Sequence, residues 1–357
     1  MCSGGRSRRP IFDSSPDCLL DPCAVFTSDP TTAMKHEHRA SSANSGPPSM
    51  RYLDAVSLGY LGFVALLLIW RREQASPWWW AWVCLHGFLA AGIVRLARRP
   101  RMGCVGWLAD LYPLPLFLVL YRESEAINHA FFASPLDVHF LAAEARWFGV
   151  QPSLAFAERF PSTLVAELLY AAYFSFYPMI IGMAVWLLHH DRRSAQRFFG
   201  DLAAVFYTCY GLFIVFPVVG PRILDLGVLP PDILASLGLA DVGAMPPGTQ
   251  RGPFARLMSF IYEWFEGAGG AFPSSHVVVA CLVLRESFRQ RLQPRWVLSL
   301  VVPLLCLGTV YGRYHYASDV VAGLLIFWPL TRLSEFLQDR YDRRRTSPRI
   351  ESHRARS

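Results

Sequence analysis

Apolar residues in this chain gather into long blocks. They do not recur at one-sided helical spacing or alternate as in a half-buried strand. Eight blocks stand out, near 52–70, 78–94, 104–120, 164–188, 199–218, 271–284, 297–312 and 316–334. They approach the about 20 apolar residues that one bilayer crossing needs. The pattern predicts an all-α integral membrane protein, a bundle of about eight transmembrane helices in which two N-terminal helices precede six others. The sixth block reaches full length only if Phe272 to His276 join its helix, and only a few residues around Tyr311 to His315 separate the seventh from the eighth. Polar groups at such depth are tolerated where they face a protein interior or a water-filled cavity.

The organisation that follows is a disordered polar tail over 1–49, N-terminal transmembrane helices over 50–103, a catalytic membrane domain over 104–336 and a basic tail over 337–357. Residues 1–49 are rich in Ser, Pro, Arg and Asp and hold no apolar core of signal-peptide length. Met50 stands directly before Arg51 and the first block, so translation from either Met1 or Met50 is compatible with the pattern. With 53% hydrophobic residues the composition agrees with a membrane protein.

The formal charge of +7 raises a nucleic-acid reading, since a single Lys, Lys35, accompanies many Arg. Position decides against it. Arg95, Arg98, Arg99, Arg101, Arg192, Arg193, Arg197, Arg285, Arg289, Arg291 and Arg295 crowd into the short loops after the second, fourth and sixth blocks. That asymmetry predicts those loops and both tails in the cytoplasm, with the alternate loops outside the cell or in a lumen. Arg71 and Arg72 dissent. The eight Cys show no paired spacing, so neither a metal site nor a disulfide framework is expected, and no cofactor. Membrane lipids are the expected partners; no nucleic acid and no obligate protein partner is indicated.

Three segments put polar or strained residues where the apolar pattern wants to continue: Phe216-Pro217-Val218-Val219-Gly220-Pro221-Arg222, Phe272-Pro273-Ser274-Ser275-His276, and Tyr311-Gly312-Arg313-Tyr314-His315-Tyr316-Ala317-Ser318-Asp319. On the expected topology all three lie at one, outer face, as befits a site between helices. His315 and Asp319 are four apart, on one face of a helix beginning there. A carboxylate holding one imidazole nitrogen leaves the other as a lone pair, the requirement for a nucleophile or base. A local His–Asp cap is the ordinary alternative, but a carboxylate near the bilayer centre costs at least about 2.5 kcal/mol, which favours function. Ser274 and Pro273 mark a helix N-terminus, an anion site in which Ser274, Ser275 and His276 meet the ligand and His276 gives a proton to a leaving oxygen. Arg222 and Arg313 add forked cations that match phosphate. Each Arg alone reads as snorkelling; together these groups point to a dianionic or phosphodiester substrate handled without metal.

These motifs resemble the type 2 phosphatidic acid phosphatase superfamily, and more closely its inositol phosphorylceramide synthase branch of lipid phosphotransferases. Pro273-Ser274-Ser275-His276 is similar to the family's Pro-Ser-x-His motif, and Arg313, His315 and Asp319 to its Arg, His and His-x-x-x-Asp motif. The resemblance implies that the six C-terminal helices are the phosphatase-like core. It implies that His315 is the nucleophile forming a phosphohistidine, Asp319 its orienting partner and His276 the acid and later base, with Ser274 and Arg313 binding phosphate. Two departures lead away from the simple phosphatases. The Lys that opens their first motif has no counterpart near the spans, where Gly220-Pro221-Arg222 stands instead. Arg313 is two residues before His315 where their pattern has six.

The implied activity is a phosphotransferase moving an inositol-phosphate-like head group to a lipid hydroxyl. Its alternative is a phosphatase giving phosphatidate or polyprenyl phosphates to water by the same mechanism. A transporter would show internal repeats, and none is evident; a lipid-binding scaffold would lack a reacting residue. Segments around Asp137, Glu144 and Trp147 and over 253–266, with Phe254, Leu257, Phe260, Ile261 and Phe265 on one side, read as interfacial amphipathic helices that either gate lipid entry or anchor passively. Glu167, Tyr173 and Tyr177, with Tyr170, share a helical face and are candidates for a head-group wall, with packing as the ordinary alternative.

Overall fold

The computed structural model describes residues 50–99, 103–224, 229–239, 245–265 and 270–346. Among the described residues the only β pairing is an isolated bridge between Val218 and Gly270; the rest of the regular structure is helical. The helices are α1 (Tyr52–Trp70), α2 (Trp79–Ala97), α3 (Gly103–Leu111), α4 (Pro113–Ile127), α5 (Asp137–Phe148), α6 (Pro152–Arg159), α7 (Thr163–Phe174), α8 (Phe176–His190), α9 (Arg192–Val215), α10 (Pro231–Ser236), α11 (Pro253–Phe265), α12 (Ser275–Arg289), α13 (Arg295–Tyr311) and α14 (Ala317–Thr346).

Among the described residues, five stretches are long and apolar enough to cross a membrane: Tyr52–Trp70, Trp79–Ala97, Thr163–His190, Arg192–Val215 and Ala317–Arg345. The remaining expected crossings are broken or shorter, for local reasons. The block at 104–120 divides into α3 and α4 at Tyr112, because Pro113 and Pro115 supply no N–H to continue the helix before them. Pro178 does the same one turn after Ser175, where the long α7–α8 stretch is interrupted. The sixth block starts its helix only at Ser275, since Ser274 caps it, and regains length by running on to Arg289. The last helix passes through the boundary expected at 337 and ends at Thr346; residues 347–357 and the tail 1–49 lie outside the described residues.

Helix α9 is the hub, packing against α1, α4, α8, α12 and α14. Its apolar window is 72% buried, whereas that of α2 is 17% buried, so α2 meets the bilayer on most of its circumference. Exposed Phe63, Leu66 and Phe88, with Leu324, Leu325 and Trp328 on α14, continue that lipid-facing surface. Helix α7 lies close along α13: a Cβ at Gly308 would stand 2.6 Å from the Leu169 carbonyl oxygen, so only glycine permits this approach. The N-terminal helices join the core through buried charge. Arg51 pairs with Asp54 and Asp110, each at 2.9 Å, and His86 Nε2 stands 2.7 Å from Glu123 on α4.

Both segments read as interfacial form helices. In α5 the buried positions are Asp137, Leu141 and Glu144, while Trp147 and Phe148 are exposed. In α11 the buried positions are Ala255 and Met258, with Tyr262 following one turn on, and Phe260 is exposed. In α5 the inward face carries carboxylates because that helix docks on the polar segments at Val219, Gly220 and Ser318, whereas α11 packs on α7 with Phe254 and Ile261 of the expected face against the core.

Candidate active site

The three segments singled out by sequence are tied to one another by main-chain hydrogen bonds. Ala271 N–H donates to Val218 O at 2.9 Å, joining first to second. Ser274 N–H donates to Asp319 O at 3.1 Å, joining second to third, and Arg222 N–H donates to Arg313 O at 3.1 Å, joining first to third. Gly220 is required at the crossing, since its φ is +97° and a Cβ would lie 2.6 Å from Tyr314 O.

On that frame His315 Nδ1 stands 3.4 Å from Asp319 Oδ2, and His315 Nε2 stands 3.3 Å from His276 Nδ1. His276 Nε2 lies 3.2 Å from the Tyr173 hydroxyl, which lies 2.6 Å from that of Tyr262. Hydrogen bonds thus link His315, His276, Tyr173 and Tyr262, from the loop before α14 and from α12, α7 and α11, and Asp319 on α14 adds a carboxylate within ion-pair distance of His315. Asp319 is wholly buried, and His315 and His276 are buried. The sequence placed His315 on the helix with Asp319, but α14 starts at Ala317 and His315 precedes it. The pairing survives because the chain turns there, with Tyr314 and His315 N–H both donating to Thr309 O. Asp319 Oδ2 also accepts the Tyr316 N–H at 2.8 Å, so the helix cap and the His partner are one carboxylate.

Arg313 is buried at the turn with φ +59°, and Arg222 rests over the rings of Tyr262 and Tyr314 at 4.3 and 5.6 Å. Those two rings stack at 4.0 Å, and Tyr314 stacks on Tyr173 at 4.9 Å. Ser274 caps α12, its Oγ accepting the Val277 N–H at 3.4 Å. Ser275 and His276 line a cleft of about 360 Å³ shared with Tyr177. Of the three candidates for the head-group wall, the structure brings Tyr173 to His276 and Tyr177 to the cleft. Glu167 goes elsewhere: its oxygens accept Phe254 and Ala255 N–H at 2.8 and 2.9 Å, because the start of α11 presents unpaired donors there.

Sequence reasoning did not foresee the part played by Asp137, Glu144 and Tyr262. Asp137 accepts Val219 N–H at 2.9 Å, Gly220 N–H at 2.8 Å and the Tyr316 hydroxyl at 2.9 Å, binding the first segment to the third. Burial pushes its carboxyl up to about 6 against those three donors. Glu144 accepts Ser318 N–H at 2.8 Å at the start of α14, and burial raises its carboxyl as well. The signal was present: Asp137, Leu141 and Glu144 recur at i, i+4 and i+7, the spacing of a buried helix face.

A helical membrane bundle with a buried His–His–Asp chain beside two Arg defines a membrane protein equipped for phosphate-ester chemistry. A family model of the PAP2 superfamily matches residues 139–331, more than half of the chain, and the chain belongs to that superfamily. Its members are phosphatases and phosphotransferases, so an enzyme of lipid phosphate type is supported, while the match does not single out the inositol phosphorylceramide synthase branch. Comparison with curated proteins and with solved structures yields no match.

Proposed function

We propose that this protein is a lipid phosphotransferase that moves a phospho-head group, inositol-phosphate-like, onto a lipid hydroxyl through a phosphohistidine on His315. The observation that carries the reading is the chain from Asp319 through His315 to His276, built where three segments are locked together. Asp319 holds the Nδ1–H of His315, so Nε2 is the nucleophilic nitrogen. His276 protonates the departing oxygen and then takes the proton of the incoming hydroxyl. Nucleophile and leaving oxygen must stand on opposite sides of phosphorus, so the 3.3 Å contact between the rings opens when a phosphate enters. Arg222, Arg313, Ser275 and the N-terminal end of α12 face its charge, which makes a metal unnecessary; activity should survive EDTA.

The acceptor is tested by incubating purified protein with labelled phospholipids, with and without ceramide or diacylglycerol, and identifying products by mass. A new lipid formed only when acceptor is present supports transfer. Release of head-group phosphate to water at one rate, whatever the acceptor, makes the enzyme a hydrolase instead.

The same reading places the site on the outer or lumenal face and both termini in the cytoplasm, supported by the arginine-rich loops. Of the two dissenting residues, Arg71 donates to Ala130 O at 2.8 Å and lies over Trp70 and Phe131, which gives it a packing role independent of topology. In an otherwise Cys-free protein, Ser236→Cys, at an exposed position on α10, should react with an impermeant reagent from that face. Labelling only from the cytoplasm reverses the topology.

A further inference from the structure

The cleft that reaches His276 runs between α4, α8 and α9, with Leu114, Phe117, Phe176, Ile180 and Phe206 among its walls. Among the described residues, apart from tyrosines, its only polar lining residues are Ser275 and His276. Its mouth is lateral. Leu118 and Ile181 line it and are 62% and 53% exposed, on a bundle surface that faces the bilayer. An occupant enters from lipid, is apolar along its length and has a reactive polar end beside His276.

The chemistry of the proposed transfer says which half of a lipid that is. When His315 Nε2 bonds to phosphorus, the bond from phosphorus to the alcohol oxygen breaks, and His276 gives that oxygen its proton. The departing alcohol therefore lies on the His276 side. Transfer reverses the step with another alcohol: its hydroxyl proton passes to His276, its oxygen bonds to phosphorus, and the bond from phosphorus to His315 breaks. Both alcohols react from the same place. We infer that this one cleft holds the hydrocarbon chain of the departing lipid and then that of the accepting lipid, while the head group stays on the side of Tyr173, Tyr262 and Arg222. The inference rests on the phosphotransfer reading above and adds that donor and acceptor chains compete for a single apolar site.

The test narrows the mouth with Leu118→Trp and Ile181→Trp, both at exposed positions that folding tolerates. The control is Leu325→Trp, in a separate apolar cavity of about 510 Å³ between α5 and α14. The readout, taken for phospholipid donors with one head group and separately for acceptor alcohols, is the ratio of kcat/KM for long-chain over short-chain lipid. Both mouth variants should lower that ratio by about tenfold or more, the scale on which apolar pockets discriminate by fit, and the control should not. An unmoved ratio in the mouth variants, or an equal change in Leu325→Trp, overturns the inference. Rapid quenching of the wild type with phosphorus-labelled donor separates the two levels: absence of label on the protein removes the phosphohistidine reading itself.

Discussion

Helices α9, α12 and α14 run from one cluster of buried polar groups to another, and the two ends solve the same problem differently. At the far end, Asp201 on α9 meets Arg285 on α12 at 2.5 Å and the side chains of Ser334 and Gln338 on α14, each at 2.7 Å. Arg285 also reaches Glu335 at 3.2 Å, and Arg289 reaches it at 2.8 Å. Charge there is cancelled by opposite charge. At the near end, Asp137, Glu144 and Asp319 are held by main-chain N–H groups and a tyrosine hydroxyl, and Arg222 rests on aromatic faces. The polarity of α12 explains the division: its N-terminus favours an anion beside His276, and its last turns favour the cations Arg285 and Arg289. One end is a rivet of paired opposite charges; at the other, positive charge rests on aromatic faces and the imidazoles join a hydrogen-bonded chain.

The contrast yields a graded set of outcomes in which near-end changes should act on rate and far-end changes on stability. Largest is His315→Ala, which should lower turnover by roughly 10⁴-fold or more and abolish acid-labile label on the protein, because no better leaving group replaces a missing nucleophile. Undiminished label in that variant would falsify the assignment. Next is His276→Ala, with a loss of about 10²–10⁴-fold on natural esters that shrinks on a p-nitrophenyl ester, whose phenolate needs no proton. Equal proportional loss on both esters would mean that His276 binds phosphate and does not donate.

Asp137→Ala should cost on the order of 10²-fold in kcat although Asp137 touches no substrate, since it frees the loop carrying Arg222 and a misplacement near 1 Å has that effect. Unchanged kcat would reduce α5 to a surface anchor. Arg285→Met should do the reverse. Leaving Asp201 buried without its cation should lower unfolding stability by about 3–5 kcal/mol, read from denaturation in detergent, while kcat per folded molecule stays near wild type. A large kcat loss with little destabilisation would erase the distinction between the ends.

The smallest effect is a slope with pH. The Asp137 carboxyl is raised from 3.8 to about 6, so between those values the folded protein holds a proton that the unfolded chain has released. Stability of the wild type relative to Asp137→Asn should therefore fall as pH rises from about 4 to about 6, and level off above. A rising difference across that window would show that the three donors outweigh burial.

Long apolar blocks and their Arg-rich connections made the helical membrane bundle legible in the sequence, because lipid demands helices of a certain length and composition wherever the chain crosses. The buried trio was legible for a related reason: His276, His315 and Asp319 are costly in apolar surroundings and stand beside helix-start signals at Ser274 and Ala317, and the fold brings them together. Breaks at Tyr112 and Ser175 have their signal in Pro113 and Pro178, which the length of an apolar block does not register. Tertiary structure alone decided that Tyr173 reaches His276 while Glu167 is drawn away to cap α11, and that Asp137 and Glu144 turn inward. Those choices depend on which main-chain donors happen to lie opposite a carboxylate or a ring once α5, α7 and α11 dock. Hydrogen bonds between residues more than 80 positions apart leave no periodicity along the chain, and only the folded molecule brings their two halves within reach.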